Sequence, residues 1–151
     1  MRPPLTILLA DDDFDDAFVF QEVIKEIDPA ISFVHKKDGK EALSYLNDCQ
    51  TLPDLLFLDL NMPRLSGKES LHMIKQNEAL SSLPVIMYTT SSQSADIEEA
   101  IIGGASGFIT KPSSIGELRQ IIASIINSLP NDLLKTLRGL SNNSLTFIVS
   151  A

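Results

Sequence analysis

Several polar residues that suit the binding and transfer of phosphate groups follow apolar, strand-like segments of the chain. Aspartates close together repel one another, at a cost of roughly 3 kcal/mol for a pair about 5 Å apart in a medium of dielectric about 20. A divalent cation such as Mg²⁺ relieves this repulsion. A lysine can pair with one phosphate oxygen while a threonine hydroxyl donates to another, so the set predicts phosphoryl-transfer chemistry. The candidates are Asp11, Asp12, Asp13, Asp59, Asn61, Thr89, Thr90 and Lys111.

Asp59 is the residue that most needs an explanation. It closes the apolar run from Leu55 to Leu58 and is followed by a turn signal at Pro63. A short, continuously apolar run is typical of a strand buried on both faces, and open α/β sheets hold their ligands at the carboxyl ends of such strands. A carboxylate beside a core is costly unless something pairs with it. We therefore expect Asp59 to face a cation.

Strand and helix signals alternate five times along the chain, and this pattern predicts the scaffold that positions these residues. It indicates an α/β fold with a doubly wound, five-stranded parallel sheet and helices on both faces. In such a sheet the polar residues share one edge. The predicted strands are 4–10, 31–36, 53–59, 83–89 and 106–110, and the predicted helices are 14–27, 39–48, 67–77, 94–102, 115–129 and 131–138.

Acidic residues at helix starts have a simpler interpretation that competes with a metal site. Asp13, Asp15 and Asp16 lie at the start of the first helix, where the helix dipole favours negative charge. Five aspartates in the six positions from 11 to 16 exceed what capping requires. Asp11 and Asp12 directly follow the apolar run and are the preferred metal ligands, and the pair Asp12 and Asp13 is the alternative.

Composition excludes several classes of protein. Acidic residues outnumber basic ones 20 to 12, for a net charge of −8, which disfavours binding to nucleic acid. The single cysteine, Cys49, excludes an internal disulfide and a cysteine-built metal site. No apolar run approaches the roughly 18 residues of a membrane span, and the start of the chain lacks a signal-peptide pattern. We expect a cytoplasmic protein that does not enter a membrane.

Four motifs in order resemble the receiver domain of bacterial two-component response regulators, of the single-domain, chemotaxis-regulator-like kind. The resemblance covers about residues 5–129 and is specific because every motif lies on the expected element. The motifs are Asp11-Asp12, Asp59-x-Asn61-Met62-Pro63-x-x-Ser66-Gly67, Pro84-Val85-Ile86-Met87-x-Thr89 and Gly104-Ala105-Ser106-Gly107-Phe108-x-x-Lys111-Pro112.

The resemblance implies a flavodoxin-like strand order of 2-1-3-4-5 and a role for each matching residue. Asp59 would accept the phosphoryl group from a phosphohistidine, with Mg²⁺ held by Asp11, Asp12, Asp59 and the backbone carbonyl of Asn61. Lys111 would pair with the phosphoryl group, and a cis peptide bond between Lys111 and Pro112 would aim it. Thr89 and Phe108 would move together as a switch.

Two positions depart from the family pattern. Phe108 stands where a tyrosine is common, and it is about as well explained as plain core. Thr90 stands where many receivers have alanine, so its bulk is expected to hinder an attacking water and to lengthen the life of the phosphoryl group.

The C-terminal part of the chain is expected to be an extension of the receiver. We assign residues 1–129 to the receiver and 130–151 to a short helix plus an apolar tail, too short for a separate output domain. The fifth helix carries Ile121 and Ile126 outside its main stripe, which favours a homodimer or partner face on the fourth helix, fifth strand and fifth helix. Residues 145–149 are expected to pack on their own domain, or else to join a neighbour's sheet edge.

The sequence thus predicts a non-enzymatic phosphoacceptor that takes a phosphoryl group from a histidine kinase or a histidine phosphotransfer protein and signals to a downstream protein. One alternative is a receiver-shaped scaffold that is never phosphorylated. A second is a phosphohydrolase with an aspartate nucleophile, but such enzymes typically carry an aspartate two residues on, where this chain has Asn61.

Overall fold

The computed structural model describes residues 4–129, 131–140 and 146–148, and within them the chain forms six strands and six helices. The strands are β1 (Thr6–Ala10), β2 (Ser32–Lys36), β3 (Leu55–Leu58), β4 (Val85–Thr89), β5 (Gly107–Thr110) and β6 (Thr146–Ile148). The helices are α1 (Phe14–Ile27), α2 (Gly39–Asp48), α3 (Gly67–Gln76), α4 (Ser94–Ile102), α5 (Ile115–Ser128) and α6 (Leu133–Leu140).

The first five strands are parallel and lie in the order 2-1-3-4-5, which confirms the predicted fold. Successive side chains of each strand alternate between two cores, one under α1 and α5 and the other under α2, α3 and α4. Phe57 and Leu58 show the alternation: each is fully buried, on opposite faces of the sheet. Burial on both faces explains why the central strand β3 is apolar without interruption.

A sixth strand extends the sheet at its β5 edge, and it was not among the five predicted. β6 pairs antiparallel with β5, so that Phe147 lies opposite Phe108. Of the tail expected to pack on its own domain, residues 146–148 form this strand, whereas Leu145 and Val149 lie outside the described residues. A strand that follows a helix by a short connection can cover an edge that would otherwise expose its backbone groups.

The sequence prediction for the surface of α5 was wrong. Ile121 and Ile126, expected outside the buried stripe, are only 3% and 5% exposed, whereas Ile115, expected within it, is 54% exposed. The reason is that α5 packs against both α1 and α6, and α6 adds Leu133 and Leu137 to the same core. The apolar surface that favoured a self-association face is therefore mostly used inside the molecule.

Helix α6 also begins and ends later than expected. Residues 131–138 were predicted, with Gly139 as the stop, but the helix runs from Leu133 to Leu140 and passes through Gly139. A single glycine inside a helix costs only about 1 kcal/mol, which the packing of Leu137 can offset.

Among the described residues, no helix is both long and apolar enough to cross a membrane.

Candidate functional site

The parallel order of β1 and β3 places the acidic residues that follow these strands side by side. Asp59 comes one residue after β3, and its backbone N–H donates to the carbonyl of Ala10, the last residue of β1, at 3.0 Å. Asp11 is fully buried and Asp59 is 6% exposed, whereas Asp12 is exposed. Carboxylate oxygens of Asp11, Asp12 and Asp59 all lie within 4.8 Å of one another. The structure therefore forms the acidic cluster that the strand ends predicted.

The third aspartate of the run has a different place. The side chain of Asp13 caps α1 by accepting the backbone N–H of Asp16 at 3.0 Å. The N–H of Asp13 in turn donates to Oδ1 of Asp11 at 2.9 Å, which orients that carboxylate. Of the two pairs left open by the sequence, the structure brings Asp11 and Asp12 to Asp59 and uses Asp13 as a helix cap.

Lys111 follows directly after β5, and its side chain reaches the acidic cluster. Its ammonium is 2.8 Å from Oδ2 of Asp11, 2.8 Å from Oδ2 of Asp16 and 3.6 Å from Oδ2 of Asp59. The backbone N–H of Lys111 donates to the carbonyl of Thr89 at 2.7 Å, which ties the loop after β5 to the end of β4. The ammonium also lies 5.4 Å from the ring centre of Tyr88.

Burial and charge act together on the ionisable groups of this site. Burial raises the pKa of Asp11 to about 6, although the neighbouring Lys111 ammonium and the N–H of Asp13 act in the opposite direction. Burial by itself lowers the pKa of Lys111, but its contacts with Asp11 and Asp16 outweigh burial, so this pKa lies above its ordinary value. Burial also raises the pKa of Tyr88. The lysine is therefore held as a cation between carboxylates.

The cluster fits a hard divalent cation. Oδ2 of Asp11 is buried and, among the described residues, has no hydrogen-bond donor at suitable geometry, although the ammonium of Lys111 is close to it. A fully buried oxygen of this kind is costly unless it has a partner. Three carboxylates within reach of one centre supply the oxygen ligands that Mg²⁺ or a similar ion prefers. Asp11, Asp12 and Asp59 are thus the residues that could hold it.

The remaining predicted residues differ in how deeply they are buried. Thr89 is buried, and its hydroxyl oxygen accepts the N–H of Ser91 at 3.4 Å. Asn61 and Thr90 are exposed. Phe108 is fully buried in the core on the α4 side of the sheet. The structure therefore gathers the acids, the lysine and the threonine at one edge, while Phe108 packs in the interior.

Sequence reasoning missed one residue of this site, Asp16. The sequence explained Asp16 as an acidic residue that the dipole of the first helix favours. In the structure its carboxylate also accepts a hydrogen bond from Lys111, 95 residues further along the chain. Nothing in the local pattern around Asp16 distinguishes it from Asp15, so the pairing could be found only from the tertiary structure.

The chain matches known proteins over most of its length. Residues 7–123 match the family model described as the response regulator receiver domain. The chain is 31% identical over 129 residues to the response regulator Rcp1 of Synechocystis, a match that covers 82% of this chain and 88% of Rcp1. It is 30% identical over 126 residues to a probable methanogenesis regulatory protein, FilR2, of Methanothrix harundinacea, with 81% of each chain covered.

Solved structures agree with these matches. The phosphorylated cyanobacterial phytochrome response regulator RcpA superposes with a TM-score of 0.78 at 30% identity, covering 85% of this chain and 95% of RcpA. The Mn²⁺-bound form of Rcp1 superposes with a TM-score of 0.72 at 32% identity, covering 83% and 94%. The family match, the strand order and the acidic cluster agree, and the chain belongs to the response regulator receiver domain family of two-component signalling.

Proposed function

We propose that this protein is a single-domain response regulator that accepts a phosphoryl group on Asp59 from a phosphohistidine donor in the presence of Mg²⁺. The observation that carries the proposal is the position of the Lys111 ammonium, 3.6 Å from Oδ2 of Asp59 and 2.8 Å from Oδ2 of Asp11. A positive charge beside a largely buried carboxylate is what a transferred phosphoryl group requires. The donor is a histidine kinase or a histidine phosphotransfer protein.

The residues of the site would divide the work of the reaction. A carboxylate oxygen of Asp59 attacks phosphorus, the bond from phosphorus to the donor imidazole breaks, and the imidazole leaves with the bonding electron pair. Lys111 pairs with one phosphoryl oxygen, and the hydroxyl of Thr89 reorients to donate to another. Mg²⁺ held by Asp11, Asp12, Asp59 and the carbonyl of Asn61 would neutralise negative charge on the transferred group. The protein acts only on its own carboxylate and is not otherwise an enzyme.

Two of the similar structures support this proposal. RcpA is described as phosphorylated and Rcp1 as Mn²⁺-bound, so proteins of this shape take both the modification and a divalent ion. In this chain the buried Oδ2 of Asp11, which has no hydrogen-bond donor at suitable geometry among the described residues, offers a ligand for such an ion.

The output would be a phosphorylation-dependent protein surface that binds a downstream target. Thr89 and Phe108 are the proposed switch, because Thr89 lies at the site and Phe108 is on the adjacent strand. The proposed α4–β5–α5 partner or dimer face is altered in this chain, since β6 occupies the edge of β5 and α6 covers part of α5. A face in this region would therefore present β6 together with α4.

Several parts of the sequence interpretation remain predictions. These are the cytoplasmic location, the cis peptide bond between Lys111 and Pro112, the absence of nucleic-acid and membrane partners, and the division into a receiver at 1–129 and an extension at 130–151. The described part of that extension consists of α6 and β6, which pack on the receiver.

The alternative functions predict different chemistry. A scaffold that is never phosphorylated would have no use for a lysine ammonium 2.8 Å from Asp11 and 3.6 Å from Asp59, and this geometry disfavours a scaffold. A phosphohydrolase would need an acid two residues after Asp59, where the exposed amide of Asn61 cannot protonate a leaving group.

The test is incubation with acetyl phosphate and Mg²⁺, followed by measurement of intact mass. We expect the wild type to gain one phosphoryl group, and both Asp59→Asn and addition of a chelator to prevent this. Asp13→Asn is the matched control, because asparagine also caps a helix and residue 13 lies outside the cluster. A wild type that shows no Mg²⁺-dependent gain in mass would contradict the proposal and favour a scaffold, and steady turnover of a small phosphate ester would favour a hydrolase.

A further inference from the structure

The ammonium of Lys111 contacts carboxylates from three different elements. Asp11 follows β1, Asp59 follows β3, and Asp16 lies in the first turn of α1. Asp11 and Asp59 belong to the acidic cluster that fits a cation, whereas Asp16 is not part of it. Of these three carboxylates, Asp16 is therefore the one that contacts Lys111 without also being a candidate metal ligand.

The direction of the Asp16 side chain is a specific feature of this helix. In α3 the acid at the third helical position, Glu69, turns back and accepts the N–H of its own cap, Ser66, at 3.2 Å. Asp16 occupies the same position in α1, and its N–H is bound by the cap residue Asp13. Its carboxylate instead reaches away from the helix and accepts Lys111 at 2.8 Å. The helix start thus presents this oxygen to the lysine.

We propose that Asp16 is a positioning residue for phosphoryl transfer. Its carboxylate holds the Lys111 ammonium where the oxygens of a phosphoryl group on Asp59 would lie. This inference rests on the proposed function. A lysine side chain is long and flexible, and an ammonium has three donors. With one donor on Asp16 and another beside Asp11, the third is left for the region of Asp59, 3.6 Å away.

The exposure of Asp16 and Lys111 indicates that their ion pair positions the lysine rather than stabilising the fold. The side chain of Asp16 is 40% exposed, whereas that of Lys111 is 9% exposed. An ion pair with one half-exposed partner contributes little to stability because water screens it. The loss of Asp16 should therefore leave the fold intact and act on the placement of Lys111.

Asp16→Asn tests this inference, with Asp15→Asn as the matched control. Asp15 is exposed and adjacent on the same helical turn, so its replacement removes the same charge without touching Lys111. The initial rate of phosphorylation by acetyl phosphate with Mg²⁺ is measured, since a small donor excludes effects on docking. We expect Asp16→Asn to slow phosphorylation about tenfold, as for the loss of one charge-assisted hydrogen bond, and Asp15→Asn to match the wild type.

Two further measurements distinguish positioning from a general effect. Asp16→Glu restores a carboxylate and is expected to recover most of the rate. The ¹⁵N-labelled ammonium signal of Lys111 in the unphosphorylated, metal-free protein should weaken through faster hydrogen exchange in Asp16→Asn and stay unchanged in Asp15→Asn.

The outcomes separate this inference from the function on which it rests. A wild type that takes no phosphoryl group contradicts the proposed function. A wild type that is phosphorylated while Asp16→Asn is as fast as Asp15→Asn overturns the role of Asp16 alone. An Asp16→Glu variant as slow as Asp16→Asn also overturns it, because the charge at residue 16 is then not the cause.

Discussion

Gly67 packs directly against the backbone carbonyl of Asp59, so closely that a Cβ atom at residue 67 would overlap that oxygen. Gly67 is the first residue of α3, and its N–H donates to the carbonyl of Leu60 at 2.9 Å. The start of α3 is thereby fixed against the end of β3. The position of the candidate phosphoacceptor depends on the absence of a side chain eight residues further along the chain.

Gly67→Ala should therefore lower the free energy of unfolding, by about 1–3 kcal/mol, because the backbone around Asp59 must shift to admit a methyl group. Denaturant unfolding measures this change. Gly116→Ala is the control, since a Cβ at Gly116 in α5 has nothing within 4 Å and alanine is the better helix former. Equal stability of Gly67→Ala and the wild type would show that the contact is easily relieved.

Mg²⁺ should stabilise the folded protein, because the acidic cluster exists only in the folded state. At a cation concentration one hundred times the dissociation constant, the expected gain is about 2.7 kcal/mol. Thermal unfolding with and without Mg²⁺ measures it. Asp12→Asn should remove much of the gain and should not lower the metal-free stability, since Asp12 is exposed and its loss relieves repulsion within the cluster.

Asp13→Asn is the control for the cation experiment, because it keeps a helix cap outside the cluster. It should respond to Mg²⁺ as the wild type does. If Asp12→Asn gains as much stability from Mg²⁺ as Asp13→Asn, the ion binds elsewhere.

Thr90→Ala should shorten the life of the phosphoryl group on Asp59. Thr90 is exposed and lines a cavity of about 320 Å³ that also reaches Lys111 and Asp16, so its side chain shares a solvent-accessible space with the lysine of the site. Decay of the phosphorylated protein after removal of the donor measures this effect. Thr90→Val keeps the bulk and should decay like the wild type, whereas an unchanged lifetime in Thr90→Ala would contradict the steric explanation.

Much of the fold followed from local sequence signals. Helix α4 spans the predicted 94–102, and strand β3 ends one residue before Asp59, where the apolar run ends. The start of α3 likewise depends on residues close together in the chain, the capping pair Ser66 and Glu69. Such signals report the local backbone directly, so they could be interpreted without knowledge of the packing.

The surface of α5 could not be predicted in the same way. Helical periodicity placed Ile121 and Ile126 beside the main apolar stripe, but the packing of α5 against α1 and α6 decides that they are buried. The pairing of β6 with β5 likewise depends on how the chain returns after α6. Contacts between elements far apart in the chain leave no periodic trace in either one.

The sequence by itself determined the alternation of strands and helices, and with it the arrival of Asp11, Asp59 and Lys111 at one edge of the sheet. Parallel strands have their carboxyl ends at the same edge, so residues that follow them must be neighbours. Only the tertiary structure decided how that edge is shared, with Asp13 capping α1 and Asp16 turned to Lys111. Which carboxylate reaches an ammonium depends on side-chain direction and distance across elements, and these exist only once the chain is packed.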